Sequence, residues 1–314
     1  MKHKCVIDIG SNTIKLFIAE LDDNDRINPV IVKRRMTGLG KYKNNSSELD
    51  EKAKETVIKN LVKYLKLSEK YKISPDNILI TATAACRNAS DGYDFIQNIQ
   101  HNYNLKHIKV LTGQEEAKYT YLGVIESIKC NKSYNYSVLD IGGGSFQVSG
   151  GTETDYKFGI SIQKGCNPTT ELFKLNKRVD LKTIKETINY FKELSLDSIP
   201  SNYQPQKIIG VGGTLKIMQI MLDDINSSKT LNIEEINNLT EWLASRTIKQ
   251  RYNWFKEKYE DKKFRKNAGL TIKRAEVILA GCCITIGLLN KLNAKEIIIS
   301  NTDAKDYIIK LSNL

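Results

Sequence analysis

The sequence predicts an α/β protein made of two similar halves, and two observations lead to this fold class. Short apolar strand patterns alternate with helical patterns along most of the 314 residues, which is typical of α/β domains. The segment Cys5 to Thr13 also recurs as Ser137 to Ser145, so that Asp8 corresponds to Asp140 and Gly10 to Gly142. A duplicated chain of this length has room for two domains with separate cores.

In the first half, a hairpin with a polar tip precedes alternating helices and strands. Its predicted strands, Lys4 to Ile9 and Ile14 to Glu20, are rich in β-branched residues and are separated by turn residues. Apolar residues then recur at helical spacing from Ser46 to Leu65, with Ser47 as the N-cap that the pattern suggests. The remaining predicted elements are strand Ile78 to Thr83, helix Asp91 to Asn102, strand Ile108 to Leu111 and helix Gln114 to Ile128.

The second half restarts the same scheme at Tyr136 and then becomes mostly helical. Hairpin strands are predicted up to Phe158, and a final helix is predicted from Asp303. The elements between them are helices near Thr169 to Lys174 and Asp180 to Leu194, strand Lys207 to Val211, a mostly helical stretch to Asn293, and strand Glu296 to Ser300.

The charge balance indicates an anionic partner. Lys and Arg number 48 against 36 Asp and Glu, which gives a formal charge of +12 and a sequence pI near 9.2. With 40% hydrophobic and 27% charged residues, the composition favours a globular protein over a disordered, collagenous or coiled-coil one.

Several other classes of protein are disfavoured. The longest uncharged run, Val277 to Asn290, is shorter than the roughly 20 apolar residues that span a bilayer, so it predicts a buried helix and no membrane partner. The N-terminus is too charged for a secretory signal, and a cytoplasmic location is expected. Six cysteines without a C-x-x-C pair predict reduced core thiols instead of disulfides or a zinc site.

The two hairpin tips carry residue types that suit phosphate binding. Their glycines let backbone N–H groups approach an anion closely, and the hydroxyls of Ser11, Thr13 and Ser145 add donors. The aspartate that ends each strand, Asp8 or Asp140, can hold a hydrated Mg²⁺ beside the same phosphates. One such turn is usually only a turn, but two at corresponding positions of a duplicated chain favour a functional interpretation.

These motifs resemble a known family. The runs Asp8 to Thr13 (DIGSNT) and Asp140 to Ser145 (DIGGGS) are similar to the two phosphate loops of the actin-like phosphotransferase superfamily. Further motifs, in the same order along nearly the whole chain, resemble the exopolyphosphatase and guanosine pentaphosphate phosphohydrolase (Ppx/GppA) family. They are Thr83 to Arg87, Gly113 to Ala117, Tyr121 to Val124, Lys164 to Cys166 with Thr170 and Glu171, Gly210 to Thr214, and Arg274 to Ile278.

The resemblance implies two actin-like (ribonuclease H-like) domains with the active site in the interdomain cleft. Domain I would comprise residues 1–124, completed by a C-terminal helix at about 301–314, and domain II would comprise residues 125–300. The implied activity is exopolyphosphatase, a hydrolase that releases terminal orthophosphate from inorganic polyphosphate, or from guanosine pentaphosphate (pppGpp) in the alternative. A homodimer is left open.

The adjacent glutamates Glu115 and Glu116 are expected to differ in role. The pattern Thr112-x-x-Glu115 is a capping box, which turns Glu115 back toward the helix start and leaves Glu116 to point elsewhere. By resemblance, the second glutamate of this motif activates the attacking water, which assigns that role to Glu116. Without the family motifs, both would more simply complement the helix dipole.

Residue chemistry and resemblance together give the expected substrate contacts. Arg87 follows a strand and a small-residue turn, where a guanidinium can grip a phosphate, although an ordinary surface arginine is the simpler alternative. Mg²⁺ or another divalent cation would be held by Asp140 and Asp8, and no protein nucleophile is needed. The expected phosphate ligands are Gly10, Ser11, Asn12, Arg87, Gly142, Gly143, Gly144 and Ser145.

Half of the net charge is concentrated in one segment. Arg246 to Asn267 holds nine Lys or Arg against three acidic residues, with five aromatic residues interleaved. Three interpretations stay open: a solvated helical face over core aromatics, a track for polyphosphate, and a nucleic-acid surface, which is the least favoured. A second basic group, which a long polyanion could also engage, lies in the loop region of the first domain and consists of Lys33, Arg34, Arg35, Lys41 and Lys43.

Some positions depart from the family pattern. Pro168 stands where many relatives have arginine, Leu279 replaces a proline, and the C-terminal motif is altered at Asn301, Asp303 and Lys305. These departures leave open a catalytically weak regulator that binds polyphosphate or an alarmone. An ATP-using actin-like kinase or ATPase also stays open, because Gly210 to Thr214 could lie under an adenosine. The water-activating and phosphate-loop motifs are intact.

Overall fold

Two β-sheets organise the chain, one in each of two compact units. The computed structural model describes residues 2–23, 26–40, 47–128, 130–222 and 230–311. One unit comprises the chain up to Gly123 together with the residues from Thr302 onward, and the other comprises Val124–Asn301.

The first unit contains a five-stranded sheet in the order β3-β2-β1-β4-β5. Its elements before the unit boundary are β1 (Lys2–Ile9), β2 (Thr13–Leu21), β3 (Ile27–Met36), α1 (Glu51–Lys70), β4 (Ile78–Ala82), α2 (Ala84–Asn88), α3 (Gly92–Asn102), β5 (His107–Val110) and α4 (Gly113–Ile125). Strand β1 pairs antiparallel with β2 and parallel with β4. Ile7 and Ile9 of β1 belong to one core and Val6 to a second core, as expected because successive side chains point to opposite faces of a sheet.

The second unit contains a six-stranded sheet in the order β10-β11-β9-β6-β7-β8. Its elements are β6 (Tyr136–Ile141), β7 (Phe146–Gly151), β8 (Tyr156–Ile162), α5 (Cys166–Leu172), α6 (Leu181–Glu193), β9 (Lys207–Val211), α7 (Gly212–Leu222), β10 (Thr230–Asn232), α8 (Ile233–Ala244), α9 (Ile248–Lys258), α10 (Lys262–Ala268), α11 (Ile272–Lys291) and β11 (Glu296–Ile299). The last helix of the chain, α12 (Ala304–Ile308), belongs to the first unit.

The two sheets have the same core topology. Strand β6 pairs antiparallel with β7 and parallel with β9, just as β1 pairs with β2 and β4. The order β8-β7-β6-β9-β11 thus repeats β3-β2-β1-β4-β5, and the second unit adds β10 and the helices α8 to α11 between β9 and β11. The predicted α/β fold of two related halves is confirmed.

The C-terminal residues complete the core of the first unit. Ile308 and Ile309 pack in the cluster that contains Val6 of β1. The Tyr119 and Tyr307 rings stack with their centroids 5.4 Å apart. These contacts attach α12 to β1 and α4, although it is far from them in sequence.

Helix α11 is the central helix of the second unit. Every residue from Val277 to Leu289 is buried, so the uncharged run is a core helix, as predicted. Over the residues that the structure describes, no helix is both long and apolar enough to cross a membrane. All six cysteines are free thiols, and all except Cys130 are buried.

Three predictions about local structure were wrong. Helix α1 begins at Glu51, where the Asp50 side chain accepts the Ala53 N–H; Ser47 is not its N-cap, and Ser46 lies outside the described residues. The residues before Arg87 form the short helix α2 instead of a turn. Lys33, Arg34 and Arg35 lie on the edge strand β3 instead of a loop, while Lys41 and Lys43 lie outside the described residues.

Candidate active site

The two hairpin tips, loop 1 (Gly10–Thr13) and loop 2 (Gly142–Ser145), close in the same way. The Gly10 N–H donates to the Thr13 carbonyl at 2.9 Å, and the Gly142 N–H donates to the Ser145 carbonyl at 2.9 Å. These two amides are therefore engaged inside the turns. A Cβ at Gly142 would lie 2.8 Å from the Ser145 carbonyl oxygen, so this glycine is needed for the turn itself and not as a donor.

The inner amides of both loops point outward. The carbonyls of Gly142 and Gly143 accept the N–H groups of Cys166 and Asn167 at 3.0 and 2.7 Å. In a trans peptide the N–H points opposite to the C=O, so the amides of Gly143 and Gly144 face away from α5. In loop 1 the Ser11 carbonyl accepts from Gly40 at 2.7 Å, which turns the Asn12 amide outward in the same way. Outward amides of this kind suit an anion.

Loop 2 also presents the Ser145 hydroxyl, which is held in place by a hydrogen bond from a buried residue of β7. Gln147 is buried, and its Nε2 donates to the Ser145 Oγ at 2.9 Å and to the Ser161 Oγ at 3.2 Å. Because the Ser145 oxygen accepts here, its own proton can be donated to another acceptor. The sequence analysis did not identify Gln147, although its position two residues after Ser145 on a strand places both side chains on one face.

Asp140 lies in a narrow space beside the first turn of α7, which directly follows β9. A Cβ at Gly212 would be 2.5 Å from the Asp140 Oδ1, and Gly212 has φ +89°, so glycine is required there on both counts. The Arg274 Nη1 of α11 donates to the Oγ1 of Thr214, which lies in this first turn of α7, at 3.0 Å. Arg274 was recognised as part of a motif but not as a candidate site residue, because its partner is 60 residues away in sequence.

Asp8 lies within a chain of alternating charges in the first unit. The Lys15 Nζ is 3.3 Å from Asp8 Oδ2 and 3.6 Å from Asp303 Oδ2, and the Thr81 hydroxyl donates to Asp8 Oδ1 at 3.2 Å. The Lys305 Nζ in turn lies 3.2 Å from Asp303 Oδ1 and 2.7 Å from Asp306 Oδ2. Asp8 is therefore already neutralised by a protein cation.

The two aspartates consequently differ as candidate metal ligands. Among the described residues, no three His, Cys, Asp or Glu side chains are gathered as a metal site. Mg²⁺ commonly uses only one or two carboxylates and takes its other ligands from water and substrate phosphates, and the Asp140 carboxylate, two residues before loop 2, fits that habit. Asp8 fits less well because Lys15 occupies its carboxylate.

Glu115 and Glu116 point to different partners, as the capping box predicts. The Glu115 Oε2 accepts from the Thr112 N–H at 2.9 Å, and the Glu115 N–H donates back to the Thr112 hydroxyl at 3.1 Å. Burial alone would raise the pKa of Glu115, but hydrogen bonds from Lys109 and Thr112 outweigh it and hold this pKa below its ordinary value. The capping role of Glu115 is confirmed, and Glu116 is directed elsewhere.

Glu116 pairs with Arg87, a contact that the sequence analysis missed. The Arg87 Nη1 lies 3.2 Å from Glu116 Oε2 and donates to the Leu111 carbonyl at 2.7 Å, and both side chains are about 15% exposed. The Arg87 Nη2 is buried and has no hydrogen-bond partner in the described part of the chain. A buried donor without an acceptor is costly, and a phosphate oxygen would satisfy it.

The helix that carries Arg87 begins next to loop 1, although Arg87 is far from that loop along the chain. Helix α2, which carries it, follows Thr83, whose N–H donates to the Ile9 carbonyl at 3.2 Å directly before loop 1. The first unit thus groups loop 1, Asp8, Arg87 and Glu116, whereas the second unit groups loop 2, Asp140, Gln147 and Arg274.

We expect Asp303→Asn to destabilise the first unit in a pH-dependent way. Burial would raise the pKa of Asp303, but the charges of Lys305 and Lys15 outweigh it and hold this pKa well below its ordinary 3.8. A lowered pKa stabilises the fold fully above the unfolded-state value and progressively less as the pH falls below about 4. The expected loss is about 2 kcal/mol at pH 7, smaller at pH 3, measured by denaturant titration at both pH values.

Asp76→Asn is the matched control for that experiment. Asp76 pairs with Lys106 at 2.6 Å, but both side chains are more than half exposed, so its loss should change the unfolding midpoint little. If Asp303→Asn were as stable as the original protein at pH 7, the charge chain would have no structural role.

Comparison with known proteins identifies one family of phosphatases. The model of the Ppx/GppA phosphatase family matches residues 17–309. The chain is 30% identical over 311 residues to a bifunctional 3-dehydroquinate synthase/phosphatase of Fusobacterium nucleatum, covering 95% of this chain and 44% of that protein. It is 23% identical over 309 residues to a guanosine-5'-triphosphate,3'-diphosphate pyrophosphatase of Vibrio cholerae, covering 96% and 58%. The chain thus spans about half the length of these curated relatives.

A solved structure has the same fold. The crystal structure of an exopolyphosphatase from Cytophaga hutchinsonii superimposes with a TM-score of 0.83 at 22% sequence identity. The match covers 98% of this chain and 96% of that one. At this identity the similarity shows the fold alone.

Proposed function

The chain belongs to the Ppx/GppA phosphatase family, and on this premise we propose that it is an exopolyphosphatase. It would release terminal orthophosphate from inorganic polyphosphate by attack of water on the last phosphorus atom. The observation that carries the proposal is the partly buried pair of Glu116 with Arg87, whose buried Nη2 has no acceptor among the described residues. Glu116 supplies a carboxylate that accepts a proton from the water, and Arg87 beside it supplies a cation that binds the phosphate.

The proposed reaction assigns one task to each group. Glu116 accepts a proton from the water as its oxygen bonds to the terminal phosphorus, and the bridging P–O bond breaks. The shortened chain leaves with the bonding electrons as a phosphate oxyanion. The outward amides of Asn12, Gly143 and Gly144, the Ser145 hydroxyl, Arg87 and Arg274 bind and neutralise the phosphates.

Mg²⁺ is proposed as the cofactor, with Asp140 as its protein ligand. When bound, it would neutralise phosphate charge and hold the terminal group for in-line attack. Because the described residues offer few side-chain ligands, we expect Mg²⁺ to bind mainly together with the substrate. Asp8 is proposed to order β1 and loop 1 through Lys15 instead of holding the metal.

A pppGpp phosphohydrolase is the alternative. It is favoured by the alignment over 96% of this chain with the Vibrio cholerae protein, whose name refers to a guanosine nucleotide. The chemistry at the terminal phosphate would be the same, and only the group that follows the phosphates would differ. A catalytically weak polyphosphate- or alarmone-binding regulator would use the same loops without turnover.

Phosphate release from long-chain polyphosphate, pppGpp and ATP tests the proposal. We expect polyphosphate to be the best substrate and EDTA to abolish release, because the proposed Mg²⁺ neutralises phosphate charge during the attack of water. Asp140→Asn should raise the Mg²⁺ concentration needed for half-maximal rate. Preference for pppGpp would select the alternative, preference for ATP would favour a kinase or ATPase, and binding of polyphosphate without release would identify a regulator.

A further inference from the structure

The basic segment 246–267 divides into internal arginines and exposed lysines. Arg251 is fully buried, Arg246 stacks on the Trp242 ring at 3.9 Å, and Arg265 donates to the Glu260 carbonyl at 2.7 Å. These three arginines are therefore engaged in contacts within the second unit. The cations that face solvent are all lysines: Lys249, Lys256, Lys258, Lys262, Lys263 and Lys266.

Arg251 joins a second basic stretch to this segment. Its Nη1 and Nη2 donate to the carbonyls of Leu175 and Lys177, each at 3.1 Å. The Arg178 Nη2 donates to the Gln250 Oε1 at 3.1 Å, next to Lys249 on the first turn of α9. Three exposed cations, Lys174, Lys177 and Arg178, thus lie alongside α9. We call these three and the six lysines the basic surface.

The basic surface is connected to loop 2 by one short helix. The first residues of α5 donate to the loop 2 carbonyls, and the end of α5 leads into residues 174–178. A helix of seven residues is about 10 Å long, so loop 2 and the start of the basic surface at Lys174 are separated by roughly that length of helix. Anionic groups that follow a terminal phosphate at loop 2 could therefore reach the basic surface.

The aromatic residues of the segment serve packing and not base stacking. The Trp242 and Trp254 rings meet edge to face at 5.7 Å, and the Tyr259 and Phe264 rings lie 5.3 Å apart. Tyr259 belongs to the second-unit core, and Trp242, Trp254 and Phe264 pack against it half-buried. Single-stranded nucleic acids are usually bound on exposed aromatic faces, whereas here Lys256 and Lys258 lie over the half-buried Tyr252 and Trp254 rings. Exposed lysines without free aromatic rings suit an anion such as polyphosphate, which carries charge but has no bases to stack.

We propose that the basic surface binds the distal phosphates of long polyphosphate chains whose terminal phosphate is at loop 2. This inference rests on the proposed function and adds a chain-length preference to it. Long chains gain contacts that tripolyphosphate is too short to make, and these contacts are electrostatic.

The test compares a triple variant with a charge-matched control. Lys177→Gln/Arg178→Gln/Lys249→Gln removes three charges where the two basic stretches meet. Lys182→Gln/Lys185→Gln/Lys192→Gln removes three exposed charges from α6 in the same unit. The readout is the ratio of kcat/KM for long-chain polyphosphate to that for tripolyphosphate. We expect this ratio to fall about tenfold in the first variant and to stay unchanged in the control.

Salt dependence and direct binding complete the test. The slope of log affinity against log salt should become shallower by roughly two units for three lost contacts. Binding of long polyphosphate is also measured directly, in EDTA and in a Glu116→Gln background, so that no hydrolysis is needed. If the protein hydrolyses neither substrate, the proposed function is refuted, but this binding measurement still tests the basic surface. Equal binding by both triple variants, or equally strong competition by single-stranded DNA, would overturn the inference.

Discussion

Replacing Glu116 by glutamine is expected to lower the rate of phosphate release by about 10²-fold or more. Loss of a general base typically has this effect, because the water must then attack without a proton acceptor. Glutamine has the same shape and can still accept the hydrogen bond that Arg87 Nη1 is placed to donate at 3.2 Å. Steady-state release from polyphosphate under saturating substrate measures the effect on kcat.

Glu115→Gln is the internal control for this variant. Glu115 is the neighbouring residue with the same side chain, but its carboxylate is engaged by Thr112 and Lys109. Its loss should weaken the start of α4 by about 1 kcal/mol and leave kcat within a few-fold of the original. A full rate in Glu116→Gln, or equal rate losses in both variants, would remove Glu116 from the role of general base.

Arg251→Met is expected to have the largest effect on stability. The guanidinium donates to the carbonyls of Leu243, Leu175, Lys177 and Ala275, and burial lowers its pKa to about 10, so it is still charged at neutral pH. Methionine fills similar volume but removes the guanidinium donor from those carbonyls. We expect a loss of about 3 kcal/mol or more in the free energy of unfolding of the second unit.

Tryptophan fluorescence can follow this change selectively. The two tryptophans of the chain, Trp242 and Trp254, both lie in the second unit near Arg251. Their urea transition should move to a lower midpoint in Arg251→Met. Arg265→Met, which removes a less buried arginine of the same segment, should shift the midpoint much less. Coincident transitions for Arg251→Met and the original protein would contradict the structural role of the buried guanidinium.

The fold was largely predictable from the sequence because its signals are local. The apolar strands, the recurring aspartate and glycine, and the capping box at Thr112 depend on neighbouring residues. Strand β3 was missed because it is an edge strand with polar or exposed residues on both faces. The start of α1 was misplaced because Ser47 and Asp50 are both good N-caps, and tertiary packing decides between them.

The site was less predictable because its contacts join distant residues. Arg87 was correctly selected as a candidate, but its pairing with Glu116, 29 residues away, depends on how α2 and α4 pack. Arg251 could not be distinguished from its solvated basic neighbours until the helices around it were placed. Conversely, the helical spacing of the aromatics correctly suggested a core role, which the packing of Trp254 against Trp242 and Phe255 confirms.

The paired registers of the two hairpins show where the two halves differ in charge. Lys15 faces Asp8 in the first sheet, and Gln147 faces Asp140 at the equivalent place in the second. The first hairpin thus places a lysine opposite its aspartate, while the second places an uncharged amide there. The backbones of the two hairpins are therefore alike, but the charges that they carry differ.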